Sequence, residues 1–351
     1  MRSNKPVQIL FLTSLLLLAV FISVPSRARP KIPFSISTLR TFHFIPISRP
    51  NLNAFMQQSE AIYQRAVGQR REIRRNFPDR GFFPAKDETT FKETPWSIWD
   101  LVTPSYGCPW EMERLGRLGE GGWWICGISK FAKGKKPCVV YSFGVGNDSS
   151  FEAEILGKTK CEIWGYDQHV PGFNFGPEVT EEMRGRAHFE RSGANGATDE
   201  ANRLFTIQEL MKRNGHDYIS VGKQIKLMLW DLGNRDILKT DIEYSEYNAL
   251  SSLNGHTLPG GAGALTSPDP TKPGFPIGQI LVEMHIFEWQ GITASVFLDW
   301  WESMEYRGLR ALHREIDTVA PGMGVEGGGV KLCSVSIVFS FQGRARWDRV
   351  C

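Results

Sequence analysis

A glycine pair, three separated acids and a histidine are the residues in this chain whose types and spacing suit chemistry. The run Val140-Tyr141-Ser142-Phe143-Gly144-Val145-Gly146-Asn147-Asp148 puts a Gly-x-Gly where an apolar strand turns into a helix. Glycines at such a corner let the backbone approach a ligand closely, and the helix start offers unpaired N–H donors. Asp167 follows Gly146 by 21 residues, at the end of the next apolar run, where a carboxylate can accept hydrogen bonds from ribose hydroxyls. The segment Ile237-Leu238-Lys239-Thr240-Asp241-Ile242-Glu243 is a strand ending in acids, and it brings Asp241 and Glu243 to the edge where open α/β sheets bind ligands. Alternation along Leu281-Val282-Glu283-Met284-His285 sets Glu283 and His285 on one side of a strand. With its ordinary pKa near neutrality, His285 is a candidate general base. Each feature also has a structural reading, as a tight turn, a helix cap or a core histidine. Position 149 is Ser where the dinucleotide fingerprint requires a third glycine, which disfavours NAD. The spacings of Cys, His and acidic residues mark no metal site, and none is expected.

Holding these residues together takes alternating strands and helices. From residue 136 onward short apolar runs alternate with helical patterns, the signature of a mostly parallel sheet with helices on both faces. Strands are expected at 138–143, 161–166, 187–191, 236–240 and 277–285, with helices starting near 148 and over 206–214, 243–253 and 294–307. Two closing strands, 309–315 and 332–341, have no helix between them. That order predicts a Rossmann-like α/β fold whose seven-stranded sheet ends in an antiparallel hairpin. Four regions follow: a membrane anchor or signal over 1–29, a basic Pro-rich stem and helix over 30–80, an aromatic-rich cap over 81–135, and the α/β domain over 136–351. Within the last, 221–235 reads as an insertion and 259–276 as a flexible Gly- and Pro-rich loop.

The 351 residues are 41% hydrophobic, which excludes disorder throughout. The formal charge of +3 is a cancellation, because residues 1–80 hold 13 Lys and Arg against 3 acids, which leaves −7 for the remainder. A body of that sign repels phosphate backbones, so no nucleic-acid partner is expected. Residues 7–24 are uncharged between Arg2, Lys5 and Arg27. As a helix that run reaches about 27 Å, against a hydrocarbon core of about 30 Å. It reads as a single-pass anchor delivering the body to a secretory lumen; the alternative is a signal cleaved near Ser26-Arg27-Ala28 and a secreted protein. The helix expected at 53–75 shows a thin apolar stripe of Ala54, Ile62, Ala66 and Ile73, and its Arg70, Arg71, Arg74 and Arg75 read as a solvated face. Six cysteines permit disulfides in such a compartment: Cys108 and Cys126 as a staple of the cap, with Cys138 and Cys161 read as buried thiols.

The run SFGVGNDSSFE, the acid of WGYD, LKTDIEYSE and LVEMHIF, in this order, resemble the class I S-adenosylmethionine-dependent methyltransferases. Within them the chain is similar to the FkbM-related, methyltransferase-like group, whose LKxDIEGxE signature matches positions 238–246 except at Tyr244. The resemblance covers roughly residues 108–341. It implies S-adenosylmethionine as cofactor, bound by Gly144, Gly146 and Asn147 at the turn and by Asp167 at the ribose. It also implies Asp241 and Glu243 at the reaction end, where His285 completes the candidate catalytic set. The expected reaction is O-directed methyl transfer to a small-molecule, glycan or lipid acceptor. Tyr244 and the insertion depart from the group's pattern, and they keep open a catalytically silent, membrane-tethered binding protein; an NAD-dependent oxidoreductase is the remaining alternative.

Overall fold

The computed structural model describes residues 52–76, 95–119, 121–133, 138–216, 237–243, 245–254, 277–286, 294–306, 308–316 and 333–341. Contacts divide the chain into residues 1–49 and 50–351, and every described residue belongs to the second unit. The expected anchor, the insertion at 221–235, Tyr244 and the loop at 259–276 lie outside the described residues. No helix among the described residues is long and apolar enough to cross a membrane.

In chain order the elements begin with α1 (Leu52–Asn76), then β1 (Met112–Leu115), β2 (Trp123–Cys126) and α2 (Ile128–Lys133). The sheet domain follows with β3 (Val139–Phe143), α3 (Ser150–Lys158), β4 (Glu162–Tyr166), α4 (Glu181–Arg184) and β5 (Ala187–Glu190). Next come β6 (Gly193–Ala194), β7 (Leu204–Phe205), α5 (Ile207–Arg213), β8 (Ile237–Thr240) and α6 (Glu246–Asn254). The chain closes with β9 (Gln279–Ile286), α7 (Ala294–Tyr306), β10 (Leu309–Ile316) and β11 (Cys333–Phe341). Seven strands form one sheet in the order β10-β11-β9-β8-β3-β4-β5. Pairing is parallel from β9 through β5, while β11 runs antiparallel to both β9 and β10. The closing hairpin predicted by two consecutive strands is therefore present, with its second strand inserted between β9 and the edge. Strand order reverses at β3, whose neighbours are β4 and β8, and ligands of open α/β sheets bind in the crevice beyond such a point.

The core explains why the strands read as unbroken apolar runs. Both faces of the parallel strands are covered: Tyr141, Phe143 and Leu238 pack in one cluster with Trp300 and Trp301, and Val140, Ile163 and Ile237 in another with Phe151 and Ile155. The cap read as irregular contains an antiparallel strand pair, β1 with β2, and it contributes Trp99, Leu115, Trp123 and Ile125 to these clusters.

Two expectations are corrected. The buried face of α1 is Ser59, Tyr63, Val67 and Arg70, whereas Ile62 is 44% exposed. Arg70 is buried instead of solvated because its guanidinium sits between Glu302, 3.1 Å away, and Glu305 on α7, and Arg74 reaches Asp299 at 2.7 Å. Hydropathy counts such an arginine as surface; of the apolar stripe, Ala54 and Ile62 are exposed and Ala66 and Ile73 half-buried. The second correction concerns the cysteines. Cys108 and Cys126 are bridged as expected, but Cys138 and Cys161 are bridged as well, with Cα atoms 4.6 Å apart. The parallel register pairs Val139 with Glu162, which sets the two preceding residues side by side at the strand entrances.

Candidate active site

The glycine turn at the end of β3 is held from three sides. Gly144 N–H donates to the Tyr166 carbonyl of β4 at 2.9 Å, and Asp241 N–H after β8 donates to the Phe143 carbonyl at 3.0 Å. Beneath the turn, the buried Lys239 ammonium donates to the Gly144 carbonyl and lies 3.9 Å from Glu152, itself bonded by the Ser142 hydroxyl at 2.6 Å. Lys239 and Glu152 are site-building residues that the sequence reading passed over. The available signal was a lysine inside an otherwise apolar strand. Both glycines have left-handed backbones, φ 71° at Gly144 and 64° at Gly146, but their surroundings differ. A Cβ at Gly144 would stand 1.6 Å from the Asp241 carbonyl oxygen; one at Gly146 would meet nothing within 4 Å. Gly144 thus permits packing of the turn on β8, and Gly146 leaves open space.

That space is a cleft of about 350 Å³ lined by Gly146, Asn147 and the loop from Val170 to Asn174. The loop is tied to the turn by Asn174, whose N–H donates to the Ser149 hydroxyl and whose side-chain amide donates to the Asn147 carbonyl, each at 2.9 Å. Ser149, the residue out of place for a dinucleotide fingerprint, is the acceptor that fastens this wall. Asp167 lies at the end of β4 as expected and is 7% exposed. Its Oδ2 accepts from Gly146 N–H at 2.8 Å, while Oδ1 accepts from the N–H groups of His169 at 2.6 Å and Val170 at 3.2 Å. A carboxylate has about four lone-pair sites, so three backbone bonds leave one for a ligand hydroxyl.

The other candidates converge at the ends of β8 and β9. His285, 3% exposed, has Nδ1 2.9 Å from Oε1 of the fully buried Glu246. Its Nε2 faces Glu283 at 3.6 Å, Glu243 at 3.7 Å and Asp241 at 4.0 Å. Burial alone would lower the pKa of this imidazole, but the hydrogen bond and charge of Glu246, with Glu283 and Asp241, outweigh it and raise the value to about 9. That value lies above the near-neutral one anticipated from the residue type. Glu243 has φ 44°, a left-handed conformation uncommon outside glycine, and is well exposed. The Ile242 N–H donates to Glu246 Oε1 at 3.2 Å, which closes the Asp-Ile-Glu-x-x-Glu segment on itself. Asp241, Glu243 and His285 are thus brought together, and the Gly144 contact sets this cluster directly against the glycine turn.

A profile of methyltransferase domains matches residues 60–254, more than half of the chain. The chain belongs to this methyltransferase family. The match runs from within α1 through the cap and the glycine turn to the end of α6. No curated protein matches the chain. Among solved structures, it is similar to the fibrillarin pre-rRNA processing protein of Methanococcus jannaschii, at 10% identity over 72% of this chain and 77% of that one, TM-score 0.29. It is also similar to TYW2 of M. jannaschii in complex with AdoMet, at 9% identity over 66% and 88%, TM-score 0.24. A third is an arsenic(III) S-adenosylmethionine methyltransferase of Chlamydomonas reinhardtii, at 13% identity over 60% and 65%, TM-score 0.27. The cofactor of the methyltransferase domain is S-adenosylmethionine, and the residues present fit it. Gly146 lines the cleft with open space around it, and its N–H is bonded to Asp167, which keeps one lone pair for a ligand hydroxyl.

Proposed function

We propose that the chain transfers the methyl group of S-adenosylmethionine to an oxygen nucleophile on a small-molecule, glycan or lipid acceptor, as an FkbM-related enzyme. The observation that carries this reading is the acidic cluster with His285 beside the glycine turn. S-adenosylmethionine supplies a methyl group made electrophilic by a sulfonium. The chain's part is to bind, orient and take up a proton. Gly146 and Asn147 shape the cleft, and Asp167 holds a ribose hydroxyl through its remaining lone pair. A hydroxyl acceptor must lose its proton as its oxygen gains carbon, and Asp241, one-third exposed and packed against the glycine turn, is the base for that proton. Orientation in the cleft supplies much of the remaining acceleration.

Incubating the purified protein with methyl-labelled S-adenosylmethionine and defined glycan and glycolipid acceptors tests the proposal. Label in an alkali-stable ether is the expected product. Alkali-labile ester label would contradict O-alkylation of a hydroxyl, and tight cofactor binding with no transfer to any acceptor would favour the catalytically silent reading.

The proposal includes a lumenal or secreted location with the anchor at residues 7–24. Two disulfides support it, since such bonds persist in oxidising compartments. Peptide mapping of non-reduced protein from cells should return the Cys108–Cys126 and Cys138–Cys161 pairs; free thiols at all four positions would count against the location.

A further inference from the structure

We propose that Asp241, Glu243 and His285 bind one divalent first-row transition cation, through one carboxylate oxygen of each acid and Nε2 of the histidine. Their ligand atoms already lie within 4.8 Å of one another. Ligands about 2.1 Å from a shared ion stand at most roughly 4.2 Å apart. Both acids meet that limit toward Nε2, at 3.7 and 4.0 Å, so only the two carboxylates need to approach each other. Glu243 can make that small movement, its side chain being 63% exposed.

A second observation points to a ligand independently of that spacing. Metal-binding histidines commonly donate their other ring N–H to a carboxylate, which fixes the tautomer and leaves a lone pair toward the ion. Glu246 stands in that position against Nδ1, with none of its surface exposed, and its Oε2 has no hydrogen-bond partner among the described residues. A buried carboxylate with one oxygen unpartnered is costly unless nearby positive charge offsets it. An ion on Nε2, one imidazole ring away, provides such charge.

The donor set selects the ion. Two carboxylates and an imidazole suit Mn²⁺, Fe²⁺ or Zn²⁺ better than Mg²⁺ or Ca²⁺, which favour oxygen-only shells. Cation binding does not depend on the acceptor or on methyl transfer. Its consequence does rest on the O-directed reading: a hydroxyl bound to such an ion becomes more acidic, which is what an oxygen acceptor needs.

Titration of the full-length purified protein with Mn²⁺, followed by electron paramagnetic resonance, tests the site. The expected result is one bound Mn²⁺ per chain, weakened at least tenfold in Glu243→Gln and in Asp241→Asn. Glu182→Gln, at a remote site 81% exposed, should leave it unchanged. Because Glu243 is exposed, its variant should keep the wild-type circular dichroism. No Mn²⁺ bound by protein that still binds S-adenosylmethionine, or binding undiminished in both ligand variants, would overturn the proposal while leaving the methyltransferase reading intact.

Discussion

Arg70→Met should lower stability by about 3–5 kcal/mol, the cost of removing one partner from a buried ion pair. The guanidinium is 3% exposed and its partner Glu305 8%, with Glu302 on the flank at 3.1 Å. Without Arg70, the Glu305 carboxylate keeps two neutral donors among the described residues, the Trp301 indole N–H at 2.7 Å and the Tyr63 hydroxyl at 3.4 Å. That leaves a buried charge without its counter-charge. At roughly 2–4 °C per kcal/mol for a domain of this order, the melting temperature should fall by about 10 °C. Arg71→Met, on the exposed side of the same helix, should change stability by no more than about 0.5 kcal/mol. The double variant Arg70→Met with Glu305→Gln should recover part of the loss, since the stranded charge is then gone. Thermal unfolding of the three variants checks this, and an Arg70→Met protein as stable as Arg71→Met would mean that α1 is not clamped to α7.

The two glycines of the turn should respond differently to the same added methyl group. Gly144→Ala drives a Cβ to within 1.6 Å of the Asp241 carbonyl and adds the strain of a left-handed alanine. Strain of about 1–2 kcal/mol and overpacking of about 1–3 kcal/mol place the cost near 2–5 kcal/mol. Because the clash lies between the turn and the Asp241 segment, cofactor binding should be lost with it. Gly146→Ala meets no atom within 4 Å, so only the strain of about 1–2 kcal/mol applies. Because Gly146 lines the cleft, affinity for S-adenosylmethionine should drop in a protein that remains folded. Urea unfolding together with calorimetric titration separates the two effects; equal stability of the two variants would contradict the packing described for Gly144.

The strands were legible because a parallel sheet buried on both faces leaves continuous apolar runs, and the Gly-x-Gly and Asp167 announced the cleft by their places at strand ends. What escaped the sequence depends on contacts between distant segments. Arg70 reads as solvent-facing until α7 brings Glu302 and Glu305 to it. The Cys138–Cys161 bridge follows from the register of β3 on β4, which hydropathy does not encode. Likewise the raised pKa of His285 comes from Glu246, 39 residues away in the chain. The metal-ligating geometry joins two residues on one segment to a third from another strand, a combination no short spacing displays.

Calorimetric titration of the folded, disulfide-bonded protein with S-adenosylmethionine tests the central claim most directly. The account predicts a single site in the cleft lined by Gly146 and Asn147, no binding of NAD, and an affinity weakened by about 1–3 kcal/mol in Asp167→Ala, the cost of polar groups left unpaired. Failure of the folded protein to bind S-adenosylmethionine, or affinity unchanged by Asp167→Ala, would contradict it.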